Sequence, residues 1–218
     1  MYGYKNVSRK RSLRGRMLCR IEEEGNAYTY IGYNTGFLTA AEQETLVKRL
    51  RTLTYYESKA QQHRSQRWCH IDGRTEFCNR WKHQYKRWAP HPYTDWLDEL
   101  QTRVTNYVHD TFDDQIRLNS VLINYYPNPT DYFPFHQDKA TPTEADKSWI
   151  VSLSIGEERM FEFQRVAERS AGMNMRLRLR SGSLLVMGGA CQTYFRHRLC
   201  PGTHGARFNL TFRFTPTT

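Results

Sequence analysis

Two residues at the end of one short stretch have the types and spacing of metal ligands. The stretch is Asn124-Tyr125-Tyr126-Pro127-Asn128-Pro129-Thr130-Asp131-Tyr132-Phe133-Pro134-Phe135-His136-Gln137-Asp138, and the two residues are His136 and Asp138. In extended backbone, residues i and i+2 project to the same side, so an imidazole and a carboxylate at this spacing can reach one ion. Two histidines and one carboxylate gathered on one side of a metal leave its remaining positions open, the arrangement that suits Fe(II) and oxygen chemistry. An HxD pair alone carries little weight in a chain with eight histidines, so the reading requires a second histidine from a later strand. His197 meets that requirement, because the strand-like runs 183–187 and 193–198, joined through Gly188-Gly189, would return the chain to the same place. Its rival, His204, sits in a less rigid loop between Gly202 and Gly205.

The run Arg207-Phe208-Asn209-Leu210-Thr211-Phe212-Arg213 alternates with a period of two. Phe208, Leu210 and Phe212 share the face expected to bury, and Arg207, Asn209, Thr211 and Arg213 share the other. Two arginines opposite a buried face imply water or an anion, and the guanidinium fork matches a carboxylate. A dicarboxylate ligand fits this strand; a half-exposed edge strand with solvated arginines is the plainer alternative.

The elements that must position these residues are legible upstream and around them. Thr39-Ala40-Ala41-Glu42 is a capping box, and Leu46, Val47, Leu50 and Leu53 continue it as one face of a helix. A second amphipathic helix is expected over 94–109, with Leu97, Leu100, Val104, Tyr107 and Val108 as its stripe. Short strands then recur at 120–126, 149–155, 160–164, 175–180, 184–187, 193–198 and 207–214, without intervening helices. Helices followed by closely spaced strands predict an α+β, mainly β chain: an antiparallel sandwich or jelly roll with helices packed on one face. In 174–180 the alternation puts Arg176, Arg178 and Arg180 outward, so one sheet face should be strongly basic.

The 218 residues suit one domain, divided here into a flexible basic arm (1–25) and a domain (26–218) whose helical and lid part is 26–117 and whose β core is 118–214. The stretch 55–92 interleaves cations with rings, a composition that suits phosphates and unpaired bases. A loop-rich lid whose tryptophans plug into the domain explains it equally well. The net charge of +10 favours polyanions, nucleic acid first. No apolar run is long enough to span a bilayer, and the five cysteines form no CxxC pair. These features predict a monomer without a membrane partner in a reducing intracellular compartment, nucleus or cytoplasm if the source is eukaryotic.

The set Asn124-x-Tyr126, Asp131, His136-x-Asp138, Ser152-Leu153-Ser154-Ile155-Gly156, Arg159-x-Phe161, 182–187, His197 and Arg207-x-Asn209-x-Thr211-x-Arg213 resembles, in order and spacing over 118–214, the AlkB family of Fe(II)/2-oxoglutarate dioxygenases. The resemblance implies a double-stranded β-helix (jelly roll) with supporting helices and a nucleotide-recognition lid. It implies Fe(II) held by His136, Asp138 and His197, with O2 and 2-oxoglutarate as co-substrates. Asn124, Tyr126, Arg207, Asn209 and Arg213 would bind 2-oxoglutarate, Arg207 taking its distal carboxylate. The implied activity is oxidative demethylation of N-alkylated bases of the 1-methyladenine or 3-methylcytosine type in DNA or RNA. Arg67, Trp68, Lys139 and Arg159 are the substrate-contact candidates, Trp68 as the ring stacking on a flipped base. Ala140 stands where many repair members carry an acidic residue, so base preference is not fixed by the motif. The same chemistry on a protein or small-molecule substrate, and a non-catalytic nucleic-acid binder, are the competing functions.

Overall fold

The structure, a computed structural model, describes residues 7–10, 15–57, 64–77, 86–138, 149–167 and 175–217, the first of these by backbone alone. In chain order, β1 (Val7–Lys10), β2 (Arg16–Glu22) and β3 (Tyr28–Asn34) form a meander, followed by α1 (Ala40–Arg51), β4 (Tyr56–Glu57), β5 (Ser65–His70), β6 (Pro90–His91) and α2 (Asp95–Thr111). The rest is nearly all strand: β7 (Ser120–Tyr126), β8 (Phe133–His136), β9 (Ile150–Gly156), β10 (Arg159–Arg165), β11 (Met175–Leu179) and β12 (Ser183–Gly189), then the single turn α3 (Cys191–Tyr194), β13 (Phe195–Leu199) and β14 (Arg207–Arg213).

α1 starts at the expected capping box. The Thr39 hydroxyl accepts from the Glu42 N–H at 3.3 Å, and the Glu42 carboxylate accepts from the Thr39 N–H at 2.7 Å. Leu46 and Leu50 of α1 and Leu97, Val104 and Val108 of α2 pack on one face of a large sheet, against Val121, Ile123, Leu153, Leu210 and Phe212. That sheet runs β1-β2-β3-β12-β9-β14-β7-β5-β4, with β6 beside β5. A smaller sheet, β11-β10-β13-β8, lies against its other face. Alternation sends Leu184 and Val186 of β12 to the helical layer and Leu185 and Met187 to the layer between the sheets. Two facing sheets, antiparallel except for the β5–β6 pair, with helices outside the larger one make the expected jelly roll.

Two expectations about the N-terminal half change. Residues 16–22 are a sheet strand rather than part of a flexible arm, because Met17, Cys19 and Ile21 alternate inward and Cys19 and Ile21 are buried against β3. Part of the lid also belongs to the sheet: β5 pairs antiparallel with β7 along Ser65–His70. Residues 1–6 and 11–14 of the expected arm, 58–63 and 78–85 of the expected lid, and Lys139 and Ala140 lie outside the described residues.

Candidate active site

β14 is a central strand between β7 and β9, and all seven of its residues are buried, so the solvated-edge alternative does not hold. Its phenylalanines and leucine fill the helical layer, which leaves Arg207, Asn209, Thr211 and Arg213 facing the small sheet. In register with it, Asn124 lies opposite Asn209 and Tyr126 opposite Arg207. On the small sheet, His136 of β8 is paired with His197 of β13, their ring centroids 4.2 Å apart. These side chains line one cavity between the sheets, closed by Phe133, Phe161, Met187 and Leu199. The proline-rich break 127–132 bends the chain from one sheet to the other, and Asp131 holds it by accepting the Asn128 N–H at 2.7 Å.

The metal-ligating atoms of His136, Asp138 and His197 lie within 4.8 Å of one another. Asp138 stands 3.6 Å from His136 Nε2 and 3.7 Å from His197 Nε2, beyond hydrogen-bonding distance, so three donors converge without bonding each other. His136 Nδ1 donates to the Pro134 carbonyl at 2.9 Å, which leaves the Nε2 lone pair directed inward. Burial lowers the pKa of His136 and, with the neighbouring His136 ring, pushes that of His197 down to about 3, so both imidazoles are neutral at neutral pH. Burial acts to raise the Asp138 carboxyl, but Arg213, His197, His136 and Arg64 outweigh it and hold it at about 2. Two neutral imidazoles and one ionised carboxylate are a donor set that fits Fe(II).

The arginines of β14 are the second half of the site. Arg207 is 2% exposed and donates to Ser154 Oγ at 2.9 Å, with its guanidinium over the Tyr126 ring. Arg213 is 5% exposed and stands 3.9 Å from Asp138. Among the described residues neither Nε has a hydrogen-bond partner. Burial draws the pKa of both arginines down, that of Arg207 to about 10, which still leaves it charged at neutral pH. A buried guanidinium with unfilled donors is unfavourable by several kcal/mol on the order-of-magnitude scale for buried charge, and an anionic ligand relieves it. Asn209 is held for the same surface by donating to Ser152 Oγ and accepting from Thr211 Oγ1, and Asn124 accepts from Gln66 Nε2.

The proposed metal and co-substrate residues are therefore brought together, but the substrate candidates are not. Arg67 points to the helical side of the sheet, where it donates to the Thr54 carbonyl. Trp68 is fully buried, its Nε1 donates to the Thr75 carbonyl at 2.9 Å and its ring meets Phe77 edge-on, so it has no free face for a base. Arg159 is 1% exposed and clamps loops instead: it pairs with Glu157 at 2.7 Å and donates to the carbonyls of Asn128 and Gly205. The clamp leaves no room at Gly202, where a Cβ would fall 1.4 Å from Arg159 Nη1. Lys139 lies outside the described residues, and His204 is exposed beside Thr203, away from the site.

Four residues were missed. Arg64 lines the cavity, donating to the Tyr126 hydroxyl at 3.3 Å with its guanidinium 3.6 Å from the Phe133 ring centre. Gln66 supports Asn124. Gln192 accepts from the Asp138 N–H at 2.9 Å, and Gln137 donates to the Gln192 carbonyl at 2.7 Å, so α3 fixes the backbone that carries the carboxylate. Gln66 of β5 and Arg64, just before that strand, share one parity; for Gln192 nothing local in the sequence gave a signal.

The profile of the 2OG-Fe(II) oxygenase superfamily matches residues 31–213. The chain belongs to this superfamily. Its members use Fe(II) and 2-oxoglutarate, and the relatives it resembles by sequence are AlkB homologues. Alpha-ketoglutarate-dependent dioxygenase alkB homolog 3 of Mus musculus is 31% identical over 140 residues, 59% of this chain and 46% of that protein. DNA oxidative demethylase ALKBH2 of Bos taurus is 33% identical over 138 residues, 60% of this chain and 47% of that protein. The chain thus matches about half the length of these curated relatives. By fold it is similar to OsALKBH1 (TM-score 0.61, 16% identity, covering 84% of this chain and 96% of that one) and to a Pseudomonas putida prolyl-4-hydroxylase (TM-score 0.55, 14% identity, 86% and 93%).

Proposed function

We propose that this AlkB-like oxygenase oxidatively demethylates N-alkylated bases in nucleic acid. The observation that carries the oxygenase chemistry is a cavity in which a His-Asp-His donor set and buried, under-bonded arginines face each other. His136, Asp138 and His197 would hold Fe(II). Arg213, at the metal end, and Arg207, at the far end, would take the two carboxylates of 2-oxoglutarate. Asn124 and Tyr126 would hydrogen-bond that molecule, with Asn209 and Gln66 keeping the amides in place. Bound there, Fe(II), O2 and 2-oxoglutarate supply the oxidation of the methyl group; the hydroxymethyl product then loses formaldehyde to free the base, with succinate and CO2 as co-products. Phe133, Phe161, Met187 and Leu199 give the cavity its apolar lining, and Arg64 adds a cation to it.

The nucleic-acid part of this reading is supported by the net charge of +10, by Arg64 and by the AlkB relatives. Purified protein given Fe(II) and 2-oxoglutarate should release formaldehyde from oligonucleotides carrying 1-methyladenine or 3-methylcytosine. Absence of turnover on every methylated base, in DNA and in RNA, sinks it. The buried Trp68 and the turned-away Arg67 favour a second reading, the same oxygenase acting on a protein or small molecule. Activity insensitive to salt would select that reading.

A further inference from the structure

The outer face of the small sheet carries a cluster of charge that the proposed reaction does not use. Register across β11, β10 and β13 brings Arg176, Glu162 and Arg198 into one row and sets Arg196 beside Gln164. Arg176 and Arg198 share the single carboxylate of Glu162, at 2.9 and 2.6 Å. Arg178 reaches Glu158 at 3.9 Å, and Arg196 is held by the neutral amide oxygen of Gln164. Four guanidinium groups therefore face two carboxylates, and the side chains of Arg176 and Arg178 are 63% and 68% exposed.

This face is joined to the cavity by one strand. Arg196 and Arg198 both lie over the ring of Phe135, 4.8 and 4.7 Å from its centre. Phe135 is the outward neighbour of His136, so β8 presents a ring between cations on one side and a metal ligand on the other. β8 is also the edge of its sheet, and its Phe133 and His136 line the cavity. Four guanidinium groups with only two carboxylates among them suit phosphodiesters, which they contact by paired hydrogen bonds while releasing counterions.

We infer that the outer face of β10, β11 and β13 is a docking surface for the backbone of single-stranded nucleic acid, which passes over β8 to present a base to the cavity. The inference rests on the proposed nucleic-acid substrate but is tested by binding alone. A fluorescein-labelled single-stranded oligonucleotide of mixed, unmodified sequence is titrated by anisotropy across a series of salt concentrations. The protein is compared with Arg176→Gln/Arg178→Gln and with Lys48→Gln/Arg51→Gln, which removes the same charge from exposed positions of α1. The β11 pair should weaken binding and make the slope of log K against log[salt] shallower by ~1.4, since each lost contact to a single strand contributes about 0.7; the α1 pair should leave the slope in place. Equal slopes in both variants, whether changed or unchanged, overturn the inference. The two failures are separable: formaldehyde release with a slope indifferent to β11 ends the docking surface alone. A β11-dependent slope without turnover on any methylated base ends the proposed reaction and keeps the surface.

Discussion

β11 and β14 are written in the same alphabet, apolar residues alternating with polar ones that include arginines, and they end in opposite environments. β11 is the outer edge of the small sheet, where Arg176 and Arg178 stand in solvent, paired with Glu162 and Glu158. β14 is the middle of the large sheet, where Arg207 and Arg213 are buried with donors unfilled. Period-two alternation tells which residues travel together; only the neighbouring strands decide which face meets water. An exposed arginine is satisfied by solvent and does not demand a ligand bound within the fold. A buried one without a full set of partners points to a ligand, and the triad 3.9 Å beyond Arg213 says where that ligand meets a metal.

This contrast ranks what substitutions should do. Asp138→Ala removes the one anionic donor of the triad, so metal binding, followed by anaerobic titration of Fe(II), should be lost together with turnover. Arg207→Gln should raise the 2-oxoglutarate concentration needed for half-saturation by ~30-fold or more, because cutting one partner of a buried charge pair costs about 2–5 kcal/mol. A change of less than threefold would mean that Arg207 meets no carboxylate. Gln192→Leu, which withdraws the acceptor from the Asp138 N–H, should weaken Fe(II) affinity by roughly tenfold, the lower end for outer-shell partners of a metal ligand. Unchanged affinity in that variant would make the α3 contact a folding feature only. The smallest effect belongs to β11: Arg176→Gln/Arg178→Gln should keep thermal stability within about 0.5 kcal/mol of the parent, as exposed substitutions do. A large loss there would mean that the two arginine strands are not as different as their burial indicates.

The parts legible in the sequence were those whose signal is local. The Thr39 capping box fixed the start of α1, and period two found β14 with its polar face assigned as the structure has it. The parts that were not legible depend on distant partners. β5 has no apolar alternation, because Gln66 faces the cavity side and Arg67 faces the helices; it is a strand because the edge of β7 supplies its hydrogen bonds. Arg67 and Trp68 came from a likeness to the family's recognition lid, which gives neither register nor burial: Arg67 lies on the opposite parity to Gln66, and Trp68, on the same parity, is fully buried. Gln192 is linked to Asp138 across 54 residues, a contact with no trace in either segment. β2 was missed for another reason: five cations in residues 9–16 masked the Met17, Cys19, Ile21 alternation just beyond them.

The most direct measurement is an anaerobic titration of 2-oxoglutarate into the protein loaded with Mn(II) in place of Fe(II), read by calorimetry. The predicted result is saturable binding that requires both the metal and Arg207, and that is lost in Arg207→Gln and in the metal-free protein. Binding of equal strength without metal, or no binding to the loaded protein, would contradict the claim that the triad and the buried arginines of β14 form one site.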